Sequence, residues 1–263
     1  MKLASRFRIT ASIRFTTAFH LGSGSEGSDF ADMGVLTDHT GAPALPGSSL
    51  KGVFRANAES LAGHLGMWTC FLEKRHEKCA GASQDLARAR LKDLDKAANG
   101  IEVEGILSNS LCDVCRLFGS QLARGKLRFH DARIKSWAGA LELRDGVGID
   151  RDSGTAVDGV KYDFEVVPAG AVFDFTLDGE NLNSIEFALV AATLLEWERG
   201  VSLGGMTSRG LGKAILEDLG VRRVDLENPA ARLRYLVDGN MQDVPKDDLR
   251  AVVRAQVEEA AHA

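Results

Sequence analysis

The chain is 263 residues long, 44% apolar and 26% charged, with a net charge of −5 at pH 7. That length suits one elaborated domain or two small ones, and the composition excludes collagen-like, low-complexity and disulfide-rich classes. An acidic total argues against indiscriminate nucleic-acid binding, which goes with an excess of Lys and Arg. It still allows a local basic groove, since Lys2, Arg6, Arg8 and Arg14 all precede the first acid, Glu26.

The longest apolar stretch, around residues 187–195, is far too short to span a bilayer. The first ten residues have no apolar run behind their charges, as a signal peptide would. The expectation is a cytoplasmic protein with no membrane partner, whose four cysteines are metal ligands or buried thiols rather than disulfides.

In residues 6–15, Phe7, Ile9, Ala11, Ile13 and Phe15 alternate with Arg6, Arg8, Thr10, Ser12 and Arg14, which predicts a half-buried strand. A glycine-serine loop over 22–34 carries Glu26, Asp29 and Asp32, and a short segment with a turn at Thr40-Gly41 follows. From Ser48 the spacing becomes helical, with Leu50, Val53, Phe54, Ala58, Leu61, Ala62 and Leu65 on one face. Residues 66–120 read as an insertion holding a second helical pattern, Ala87, Leu91, Leu94 and Ala98. Residues 125–134 alternate as another strand, and the stretch from 145 to 180 reads as a loop and then a hairpin turning at Pro168-Ala169-Gly170. A helix over about 183–199, a glycine-rich loop over 204–212, a strand from Lys213 and a helical C-terminal segment complete the chain. This order suits an α+β fold with helices packed on one face of an antiparallel sheet.

Three stretches carry chemistry. Cys70, Cys79, Cys112 and Cys115 fall in one short window, with the last pair at knuckle spacing, so four thiolates can close a tetrahedral structural Zn²⁺ site. His76 or His64 could replace one thiol, and four unrelated buried cysteines is the bland alternative. "PGSSLKG" opens a helix whose first amides lack internal partners; Ser48, Ser49, Lys51 and Arg55 add hydroxyl donors and charge, which together make a phosphate cradle. A plain serine N-cap is the competing reading. In "LGGMTSRGLGKA", Gly204 and Gly205 allow a backbone to approach a ligand, and Ser208 and Arg209 supply donors. The lysine-serine ending of a P-loop is missing. His20 and His130 read as structural or surface residues, with no nucleophile beside them.

Taken together, "FHLGSGS", "LPGSSLKGVFR", "CDVCRLFGS", "GKLRFHDA" and "SLGGMTSRGLGKA", in that order from about Phe7 to Glu217, resemble the RAMP proteins of type III CRISPR effectors. The likeness is greatest to backbone subunits of Csm-like and type III-D complexes. The resemblance implies a single RAMP domain over 1–263: an RRM-like (ferredoxin-like) palm, a zinc-bearing insertion at 66–120 and a protruding thumb hairpin within 145–180. It implies as partners a guide RNA (crRNA) gripped by its backbone, a single-stranded target RNA paired to it, and neighbouring effector subunits. It further implies cleavage of target RNA by an aspartate in the loop after the first strand, which matches Asp32, assisted by Mg²⁺ or a similar ion. A non-catalytic backbone subunit and a guide-processing endonuclease are the alternatives.

Overall fold

The computed structural model describes residues 2–22, 31–72 and 78–262. The alternation in 6–15 forms strand β1 (Ser5–Phe15), at the centre of a seven-stranded sheet. Beyond Pro46, which cannot continue a preceding element, helix α1 (Gly47–Ala62) runs to a left-handed turn at Gly66. The insertion folds as α2 (Gln84–Lys96), α3 (Gly100–Ser110) and α4 (Asp113–Phe118), the first two capped by the Ser83 and Asn99 side chains.

Residues 125–134, expected as one strand, form two short pieces, β2 (Leu127–Phe129) and β3 (Ile134–Ser136). Between them the His130 amide still bonds to the Thr176 carbonyl of β6, but Ala132 bridges to Leu45 instead. Next come β4 (Glu142–Ile149), β5 (Ala156–Val166) and β6 (Val172–Glu180). The expected hairpin at Pro168-Ala169-Gly170 is not one. The chain does turn there, but the strand that β5 pairs with is β4, whereas β6 pairs with β1, β2 and β3. The hairpin in this part of the chain is β4–β5, with Glu142 opposite Val166.

Helix α5 (Ser184–Arg199), opened by an Asn183–Glu186 capping box, leads through β7 (Val201–Ser202) into β8 (Lys213–Asp225). Then α6 (Pro229–Asp238), β9 (Gln242–Asp243) and α7 (Lys246–Ala261) follow. The sheet order is β2-β6-β1-β8-β7, and the pairings along it are antiparallel.

One face of this sheet presents Phe7, Ile9, Ile13, Phe15, Phe173, Phe175 and Leu177, which are buried beneath α1 and α5. Phe7 stacks on Phe187, and Trp197 packs against both Phe54 and Phe175. Burying each such ring contributes roughly 1.5–3 kcal/mol. The other face carries Arg6, Arg8, Thr10, Ser12 and Arg14 with Asp174, Thr176, Asp178 and Glu180. The four cysteines and α4 belong to the same hydrophobic core as the seven-stranded sheet. Among the described residues no helix is long and apolar enough to cross a membrane.

Candidate RNA interface and metal centre

The sulfurs of Cys70, Cys79, Cys112 and Cys115 are all buried and lie within 4.8 Å of one another. Cys70 and Cys115 are 3.7 Å apart, far longer than a disulfide. Four thiolates about 2.3 Å from a Zn²⁺ ion stand roughly 3.8 Å apart along each edge of the tetrahedron, so the spacing fits. The main-chain amides of Cys112 and Cys115 donate to Cys79 Sγ and Cys112 Sγ, both at 3.3 Å, as they do where a knuckle holds sulfur in its thiolate form.

The thiols also crowd one another electrostatically. Hydrogen bonds from Cys112 and Cys115 pull the Cys79 thiol down despite burial. The Cys115 hydrogen bond favours the Cys112 thiolate, yet its bond to Cys79 and burial outweigh that and push Cys112 up to about 12. Cys115 is pushed up by its contacts with Cys112 and Cys79. A dication is what lets four thiolates coexist. Gly81 shapes the same space: a side chain there would fall on Cys115 Sγ. No sequence signal other than its place after Cys79 pointed to it. Four sulfurs make a complete set; His64 is exposed, and His76 lies outside the described residues.

The second locus forms where the chain leaves β1. Phe19 bridges to Val167, His20 to Gly205, Gly22 to Val35, and Met33 to Phe164. These bridges draw together the foot of the β4–β5 hairpin, the glycine loop and residues 31–37. Asp32 is exposed there, and its Oδ2 accepts a 3.0 Å hydrogen bond from the Asp163 amide. Among the described residues Asp163 Oδ1 is buried without a hydrogen bond, with Lys161 Nζ 3.6 Å away. Glu26 and Asp29 lie outside the described residues. His20 is buried, with Nδ1 2.7 Å from the Glu165 carbonyl oxygen. A carbonyl only accepts, so Nδ1 carries the proton, a structural placement in line with the sequence reading.

In the glycine loop Ser208 and Arg209 are exposed, and Arg209 donates to the Tyr162 hydroxyl while lying 5.9 Å from that ring. Tyr162 on the hairpin is a site neighbour that no motif or spacing singled out. Gly204 serves a purpose other than the expected one. At φ +94° a side chain would strike the His20 carbonyl, so its close approach is to the protein's own backbone.

At the start of α1 the two readings of "PGSSLKG" separate. Pro46 is the N-cap and makes no side-chain bond, while Asp131 Oδ1 accepts from the Gly47 amide at 2.7 Å. Neither serine therefore caps the helix, and among the described residues the Ser48 and Ser49 hydroxyls and Lys51 have no side-chain partner. The first amide, however, is already taken by a carboxylate.

Arg55 corrects the sequence reading. Instead of extending the cradle it turns inward, with its side chain only 16% exposed, to Glu59 and Cys115. Asn57, about 14 Å along α1 from Ser48, lines one cavity of about 490 Å³ with Thr207, Gly210 and Lys213.

A search of curated proteins finds no match. A family model for the RAMP superfamily, whose proteins are CRISPR-associated RNA-binding modules, matches residues 12–215. That span takes in the end of β1, the segment bearing Asp32, helix α1, the cysteine cluster, the β4–β5 hairpin and the glycine loop, and the chain belongs to the RAMP superfamily.

Proposed function

We propose that the protein is a backbone subunit of a type III, Csm-like or type III-D-like, CRISPR effector, and that it grips guide RNA without reading its sequence and cuts the paired target RNA. The sheet order β2-β6-β1-β8, with α1 and α5 on one face, is the order expected of an RRM-like palm and supports that reading. The open sheet face has no aromatic residue on β1 or β6, so base stacking of the usual RRM kind is not its mode. Backbone contacts fall instead to Ser48, Ser49, Lys51, Ser208 and Arg209.

The observation that carries the cutting role is the position of Asp32: exposed at the foot of a projecting hairpin, beside the loop that bears Arg209. RNA brings its own nucleophile. If the hairpin splays one target nucleotide, the 2′-oxygen lines up with the adjacent phosphorus; as that bond forms the P–O5′ bond breaks and the 5′-oxygen takes a proton from water, leaving a cyclic phosphate and a 5′-hydroxyl. Asp32 takes the proton or orients the hydroxyl. A single carboxylate suits Mg²⁺, which keeps water and substrate phosphate as most of its ligands and would offset charge on the phosphate. Zn²⁺ at the four cysteines has a structural part.

The test uses the assembled complex. Asp32→Ala should leave guide loading and target binding intact while cleavage falls at least 100-fold. Unchanged cleavage would remove Asp32 from the chemistry, and a native complex that binds target without cutting it would leave a purely structural subunit.

A further inference from the structure

Arg55 has surroundings that no RNA contact explains. It lies one turn past Lys51 on α1, yet its guanidinium is drawn beneath the helix. Nε donates to Glu59 Oε1 at 2.9 Å, Nη2 to Cys115 Sγ at 3.2 Å, and Nη1 faces the Gly119 carbonyl at 3.5 Å. The group lies 6.0 Å from the Phe118 ring, and the Glu59 side chain is 11% exposed. A thiol accepts weakly, whereas a thiolate is a charged acceptor. Four thiolates around a dication leave two net negative charges in a buried space. Glu59 already balances one positive charge, so the pair adds none of its own; what Arg55 adds is a directed donor at one sulfur.

We propose that Arg55 is a positioning residue of the metal centre. It orients Cys115 and stabilises its thiolate, and so ties the metal held by the insertion to helix α1, whose first turn bears Ser48, Ser49 and Lys51. The inference rests on reading the cysteines as a metal centre. Only a planar fork serves a carboxylate, a carbonyl and a sulfur at once; a lysine ammonium has the charge but not the geometry. Groups that orient metal ligands from outside the coordination shell are typically worth about 10–100-fold in metal affinity.

The full-length protein is loaded with Co²⁺, and affinity is measured by chelator competition alongside the thiolate-to-cobalt absorption band. Arg55→Lys keeps the charge, and the double variant Arg55→Gln/Glu59→Gln removes both charges together, so neither strands an unpaired one. Both should bind Co²⁺ about 10–100-fold more weakly with a shifted band, and the rise in urea midpoint on metal addition should shrink relative to the native protein. Native affinity and an unshifted band in both variants would overturn the proposal. An equal loss of stability with and without metal would overturn it too, because a merely structural arginine behaves that way. If the native protein takes up neither Co²⁺ nor Zn²⁺, the metal reading itself fails and the proposal with it, a result distinct from the others.

Discussion

Individual side chains here are held by charge as much as by packing. Asp178, on the open sheet face, accepts from Arg8 Nε at 2.8 Å and Nη2 at 3.0 Å and lies 3.0 Å from His130 Nε2. Burial pushes its carboxyl up, but the Arg8 and His130 hydrogen bonds outweigh that and hold it below its ordinary 3.8. A carboxylate whose folded value is depressed stabilises the fold fully above the unfolded value and loses that contribution as pH falls through the folded one. Asp178→Asn should therefore cost about 1–3 kcal/mol at neutral pH, and the gap between native and variant urea midpoints should close as pH drops below about 4. A gap independent of pH would contradict this reading. At the metal centre, Gly81→Ala would place a methyl group on Cys115 Sγ, so zinc content per chain, measured on purified protein, should fall well below that of the native protein. The cysteines were legible because their spacing is chemistry in itself. Gly81 and the inward turn of Arg55 were not, since both depend on which residues the fold brings alongside.

Among the elements, β1, α1, α5 and β8 could be read from their periodicity, since each buries one regular face against the same core. The hairpin could not. Residues 145–180 contain a genuine turn at 168–170, but Phe19 pairs with Val167 and the Phe15 amide bonds to the Ala171 carbonyl, so β1 captures the chain and sends β6 into the main sheet. Long-range pairing overrode a local turn signal. What remains, β4–β5, is a two-stranded ribbon with Leu143, Val147, Ile149, Val157 and Val160 exposed. Such a ribbon is marginal alone in water, and the proposed function gives it a duplex to press against. Replacing residues 147–160 with a short glycine-serine turn should leave the melting temperature within about 3 °C and guide loading intact, while regularly spaced target cleavage disappears in the assembled complex. Regular cleavage by that variant would take the ribbon out of the mechanism.

For the whole molecule, a net charge of −5 conceals how the charge is placed. On the open sheet face Arg6, Arg8 and Arg14 are matched by Glu180, Asp178 and Glu217. The basic run at the N-terminus, which on sequence alone left room for a groove, is thus largely spent internally. Lys51 at the head of α1 is unpaired among the described residues, and Arg209 remains exposed with only a neutral tyrosine as partner. The central claim, that these groups hold an RNA backbone regardless of sequence, is tested most directly by the salt dependence of binding to two unrelated single-stranded RNAs of equal length. The native protein should bind both equally well, and Lys51→Ala/Arg209→Ala should lower the slope of log affinity against log salt by about 1.4, roughly 0.7 for each lost phosphate contact. A folded double variant with native affinity and native slope would contradict the account.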